Sequence, residues 1–197
     1  MPKEPKELGP SRLLEVVTRR AWRAWLKAHA GTASETWLVF WKKHTGHATL
    51  VYNDAVEEAL CFGWIDSTVR RLDDDRYAQR FTPRRPGRPY SQANKERLRY
   101  LAAKGLVAPA VLATLDFLDE KDFPIAADIL AALKAEPAAW RNFQRFPPAY
   151  VRIRVGFVEG ARRRPQEFAK RLRHFVRMTK ENRRFGFGGI EKHYDRS

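Results

Sequence analysis

Cysteine is nearly absent from this 197-residue sequence, which holds a single one, Cys61. One thiol excludes an internal disulfide framework and any multi-cysteine zinc site. Long apolar runs are missing too: none approaches the ~18 residues of a membrane-spanning helix. The opening MPKEPKELGP has no apolar segment of the kind a secretory signal carries, so the expected location is cytoplasmic. No stretch implies a cofactor, no internal repeat is visible, and no helix-turn-helix or RNA-recognition signature occurs.

What is present points to a folded chain. Apolar residues make up 44% and charged residues 31%, enough for a core without covalent staples. The formal charge of +15 is unevenly placed. From Ala138 to Ser197 there are 16 Lys and Arg against 5 Asp and Glu, a net of +11, whereas Gly105 to Pro137 reverses to 2 against 6. An acidic middle can face the basic end within the molecule, and the surplus positive charge suits an anionic ligand, an acidic protein or nucleic acid, or it serves solubility alone.

The patterning predicts an α+β fold. Residues 1–10 read as a flexible tail. Ser11 caps a helix from Arg12 to about Ala30, with Leu14, Val17, Ala21, Trp25 and Ala28 at helical spacing. ETWLVFWKK reads as a strand, turned at HTGH into a second strand, ATLVY. Asp54 and Glu57 have capping-box spacing for a helix from Ala55 to Phe62, which Gly63 ends in a left-handed turn. IDSTVRRL, a DDD turn and RYAQRFTP make a second hairpin, and Ser91 caps a helix to about Lys104. The sheet is therefore expected to be small and mainly antiparallel, built from two hairpins covered by helices. A core domain over 11–120, a helical module over 121–182 and a tail over 183–197 complete the expected layout. YVRIRVGFVEG fits a strand and a helix equally, while Phe168, Leu172, Phe175 and Val176 draw a clear apolar stripe along a helix from Pro165 to Lys180.

Two groups of residues invite a chemical reading. Cys61 lies one turn after Glu57 and near a helix C-terminus, both of which disfavour a thiolate, so a small buried hydrophobe is the reading it supports. Asp66 is followed by Arg80 and Arg84 on or beside the second hairpin, with Lys42, Ser91 and Asn94 as further polar neighbours. A carboxylate among guanidiniums is either a structural pair or the orienter of an anion-binding site. A small-ligand site or enzyme on this plan has Arg80 and Arg84 clamping an anion, Asp66 orienting them, and Glu57 or Cys61 doing the chemistry. Elsewhere, Lys170, Arg171, Arg173, Arg177 and Lys180 lie mostly off the apolar stripe and are expected to form a basic surface.

The order FWKK, YNDAVEEALCFGWIDS, RLDDDRYAQRFTPRR and YSQANKERLRYLAAKGLV resembles the bacterial YdeI or OmpD-associated family, the bacteriocin-protection type. The stretch from Phe123 through Lys180 is similar to that family's C-terminal helical module. Tyr90-Ser91 replaces the family's usual Trp-Ser, and Gly105-Leu106 its Gly-Met, both apolar-for-apolar changes. The resemblance implies a helix over Tyr150 to Gly160, no established enzyme activity, and a stress role: protection against bacteriocins or cationic peptides with a link to an outer-membrane porin. The expected function is thus a non-enzymatic cytoplasmic binding or stress-protection protein acting through a basic face. A cationic protein does not sequester cationic peptides by charge, so such protection has to run through something else.

Overall fold

The computed structural model of the chain describes residues 13–118, 123–186 and 190. In chain order the elements are β1 (Leu13–Leu14), α1 (Arg19–His29), β2 (Thr36–Trp41), a 3-10 turn (Lys43–Thr45), α2 (Tyr52–Cys61), β3 (Trp64–Arg71) and β4 (Arg76–Pro83). Helices follow: α3 (Gln92–Ala103), α4 (Pro109–Leu112), α5 (Ala127–Lys134), α6 (Pro137–Phe143), α7 (Pro148–Glu159) and α8 (Pro165–Lys180). The class is α+β, as the patterning implied. Two compact units share these elements: Met1–Arg88 with Leu106–Leu112, and Pro89–Gly105 with Ala113–Ser197. Helix α3, expected within the core domain, thus belongs with the C-terminal helices.

In the first unit the described strands form one mixed sheet in the order β1-β2-β4-β3. β2 pairs antiparallel with β4 and β4 with β3, whereas β1 runs parallel to β2, Leu13 opposite Trp37. Two expectations fail here. ATLVY forms no strand, because the turn carries the chain back as irregular backbone and the Trp41 amide donates to Thr49 Oγ1 (3.2 Å) instead of to a ladder carbonyl. The first helix begins at Arg19, since Thr18 Oγ1 accepts the Ala21 amide (3.1 Å) and Leu13 and Leu14 are taken up by the sheet. The expected cap Ser11 lies outside the described residues.

The hairpin between β3 and β4 is closed by Asp73, whose Oδ1 accepts the amides of Asp75 (2.9 Å) and Arg76 (2.6 Å), the local bonding that makes Asp a turn residue. Helix α1 packs on α2 through Trp22, whose indole donates to the Ala55 carbonyl (3.0 Å). Trp22 stacks on Trp25, which meets Trp64 edge-on, and Trp22 also touches Phe81. Gly63 ends α2 with φ +73°, and its carbonyl accepts the Arg84 amide (2.8 Å), tying the helix end to the outgoing strand.

The described elements of the second unit are all helices. Pro137, Pro148 and Pro165 each open a helix at the position where a missing N–H costs nothing. Ile129, Leu133, Ala139, Phe143, Val155, Val158 and Phe175 form its main core. YVRIRVGFVEG is helical. Helix α7 buries Tyr150, Ile153, Val155 and Val158 because it has neighbours on two sides, α3 and α8, and apolar residues on two faces of one helix imitate a strand's alternation. Gly156 lets α3 approach so closely that a Cβ there would stand 2.6 Å from Cβ of Gln92. Of the expected tail, residues 187–189 and 191–197 lie outside the described set, while Phe185 donates its amide to Tyr150 Oη (3.2 Å) and Ile190 is buried beside Tyr150 and Ile153.

Candidate functional site

The stretch around Cys61 is an internal brace. Every residue from Ala55 to Cys61 is buried, the adjacent carboxylates Glu57 and Glu58 included. Helix α1 supplies their counter-charges. Arg19 reaches Glu58 (2.5 Å), Glu57 (3.0 Å) and Asp54 (3.1 Å), and Arg23 reaches Glu58 (2.6 Å) and the Leu106 carbonyl (2.6 Å). Asp54 therefore serves as an ion-pair partner and not as the expected cap: Val51 holds the cap position and the helix starts at Tyr52. Burial, and after it the charge of Glu58, pushes the Cys61 thiol up to about 11, against which Arg23 and Arg19 act only in part. At neutral pH such a sulfur is a packed hydrophobe.

The residues singled out for an anion site are engaged within the protein. Asp66 Oδ2 accepts the Tyr52 hydroxyl (2.5 Å). Arg80 forks onto Glu35, with Nε at 2.8 Å. Arg84 donates to the Arg88 carbonyl (2.6 Å), and Lys42 to the Asp74 carbonyl (2.7 Å), where it fastens the hairpin turn. Ser91 and Asn94 belong to the second unit. Ser91 Oγ accepts the Asn94 amide (3.3 Å) as the cap of α3, and Asn94 Oδ1 accepts from Arg97 (2.8 Å).

Helix α8 is different. Its apolar stripe packs inward as expected, with Phe175 fully buried and Phe168, Leu172 and Val176 against the same core. Arg171 departs from the expected basic surface: it pairs with Glu167 (2.7 Å), donates to the Phe157 carbonyl (2.8 Å) and lies 3.9 Å over the Phe157 ring, so it belongs to the packing of α7 on α8. Lys170, Arg173, Arg177 and Lys180 are exposed. Lys180 holds Glu136 (2.9 Å) and Arg177 holds Glu181 (3.4 Å), while Lys170 and Arg173 have no ion-pair partner among the described residues. The acidic middle meets the basic end at Glu136 and again at Asp128, which Arg162 clamps at 2.9 and 3.1 Å, holding its carboxyl below the usual range.

Beside these cations runs a trough of about 510 Å³ between α5 and α8. Ala132, Ala135 and Glu136 line it on one side, and α8 lines it with Ala169, Leu172 and Val176 together with the exposed cations Arg173, Arg177 and Lys180. An apolar trough with a cationic rim holds an amphipathic anion better than a bare phosphate. No metal ligand set of three His, Cys, Asp or Glu occurs among the described residues.

Residues 14–114, half of the chain, match the model of a family described as a domain of unknown function (DUF8412), and residues 122–182 match that of the bacteriocin-protection, YdeI or OmpD-associated family. The chain belongs to the DUF8412 family and carries a YdeI/OmpD-associated module. No curated protein and no solved structure matches it. The ALCFGWID stretch thus lies in the DUF8412 domain, while α5 to α8, the trough and the unpaired cations all lie in the YdeI/OmpD-associated module. The alanines of the trough escaped the sequence reading, which attended to charge and large apolar side chains. Their signal was the spacing of Ala132 and Ala135, three apart on one helix face opposite a cationic helix.

Proposed function

We propose that the protein is a non-enzymatic cytoplasmic binding protein whose YdeI/OmpD-associated module holds an acidic partner on the exposed side of α8. The observation that carries this reading is the row of exposed cations on α8 beside the trough, where Arg173 has no ion-pair partner among the described residues while Arg177 and Lys180 are each held by one glutamate. Cations left in water beside an apolar trough favour a polyanion at little desolvation cost, and they speed encounter through long-range attraction. A stress-protection role, as the family description suggests, would then act through an acidic protein and not through direct capture of cationic peptides. An enzyme built on Asp66, Arg80, Arg84 and Cys61 is the weaker reading, because Arg80 is paired with Glu35, Arg84 donates to the Arg88 carbonyl and burial keeps the thiol protonated.

Retention on immobilised poly-L-glutamate at low ionic strength tests the reading. The expected result is binding that weakens steeply as salt rises, as for any contact between exposed charges. Passage through the column at low salt contradicts it. Tighter retention by duplex DNA than by poly-L-glutamate would favour phosphate contacts without sequence readout in place of an acidic protein.

A further inference from the structure

We propose that the trough between α5 and α8 is the docking site of an acidic amphipathic helix on a partner protein. This rests on the basic-face reading and narrows it to one occupant. The residues that α8 contributes, Ala169, Leu172, Arg173, Val176, Arg177 and Lys180, lie three, four, seven, eight and eleven positions after the first, the spacing of one helix face. They form a single stripe of about three turns, roughly 16 Å long. Within it the cations recur once per turn at 173, 177 and 180, the repeat at which a second helix laid alongside presents carboxylates at i, i+4 and i+7. Ala132, Ala135 and Ala169 keep the walls low, so another helix can approach closely enough for its apolar residues to reach Leu172 and Val176. A single anionic headgroup would satisfy one or two of the cations, whereas the row extends over about 10 Å.

The rim is graded, which assigns an orientation to the charges of the guest. Lys180 is held by Glu136 and Arg177 shares Glu181 and the His174 ring nitrogen, but Arg173 is unengaged among the described residues. Acidic residues of the docked helix therefore concentrate toward Arg173, and the Glu136 end prefers a neutral or basic residue. Arg173 is the residue whose loss costs the most binding, in the way that an interfacial arginine beside an apolar pocket commonly dominates.

The test is fluorescence anisotropy on the full chain with a synthetic helical peptide of about 18 residues, leucines along one face and glutamates flanking them. A peptide of the same composition with scrambled order serves as the control. The helical peptide is expected to bind about tenfold or more tighter than the scrambled one. Arg173→Glu and Ala135→Trp are each expected to weaken it about tenfold or more, while Ala135→Trp leaves poly-L-glutamate retention unchanged. Ala135 is exposed, and an unchanged thermal melt confirms that the variant is folded. Equal binding of the two peptides, or indifference to Ala135→Trp, overturns the docking site while the basic-face reading survives. Saturation of the trough by a fluorescent fatty acid that the peptide fails to displace also overturns it. Failure of both peptides and of poly-L-glutamate to bind removes the basic-face reading itself.

Discussion

The two units treat charge alike in the interior and differently at the surface. Each gathers guanidiniums around a buried carboxylate: Glu58 takes Arg19 and Arg23 in the first, and Glu96 takes Arg99 (2.6 Å) and Arg152 (2.7 Å) in the second. In the first unit that internal matching uses the cations of α1 that face α2. In the second, α8 carries five basic residues against one acidic residue and leaves two of them unmatched among the described residues. Exposed cations without an ion-pair partner among the described residues occur in the first unit too, Arg85 and Arg88 among them; those of α8 differ in standing in a row beside an apolar trough.

Breaking the buried pairing has the largest expected effect. Glu58→Ala leaves two guanidiniums without their shared acceptor and should lower stability by about 3 kcal/mol in a urea titration, with Glu58→Gln milder. Gly156→Ala forces α7 away from Gln92 and should cost about 1–3 kcal/mol by the same measurement, without touching the cations of α8. The Cys61 thiol sharpens the contrast by pH. Its folded value is raised from 9.0 to about 11, so the unfolded chain loses that proton first. Stability from this group is complete below pH 9 and falls as pH rises toward 11. Labelling of Cys61 at neutral pH should accordingly be slower than in the unfolded chain and accelerate only with opening or strong alkali. The smallest effect is expected at the proposed binding face: Arg173→Ala should change stability by no more than about 0.5 kcal/mol, because nothing among the described residues depends on it.

The helices with strong stripes and caps were readable from sequence. Ser91 caps α3, Gly63 and Gly105 stop α2 and α3 with positive φ, and α8 runs from Pro165 to Lys180 as its Phe and Leu spacing required. Other features were decided by distant contacts. Leu14 fits a helical pattern, yet pairing of Leu13 and Leu14 with Trp37 and Leu38 draws both into the sheet. ATLVY has a strand's composition but a side-chain hydroxyl answers the amide it would have paired. At the site level the cations of α8 were legible as a row, but Arg171 was not separable from it, because only the position of Phe157 reveals that this guanidinium is packed. The surroundings of Asp66 were less legible for a similar reason: proximity across a hairpin suggested the neighbours, whereas Glu35 and Tyr52, distant in sequence, bond Arg80 and Asp66.

The most direct test of the account compares equal charge changes in the two units. Lys170→Glu with Arg173→Glu on α8, and Arg85→Glu with Arg88→Glu on the exposed loop of the first unit, lower the net charge by the same amount. The account predicts that poly-L-glutamate retention collapses in the α8 variant and persists in the loop variant; equal losses in both would mean that the whole chain's positive charge, and not α8, does the binding.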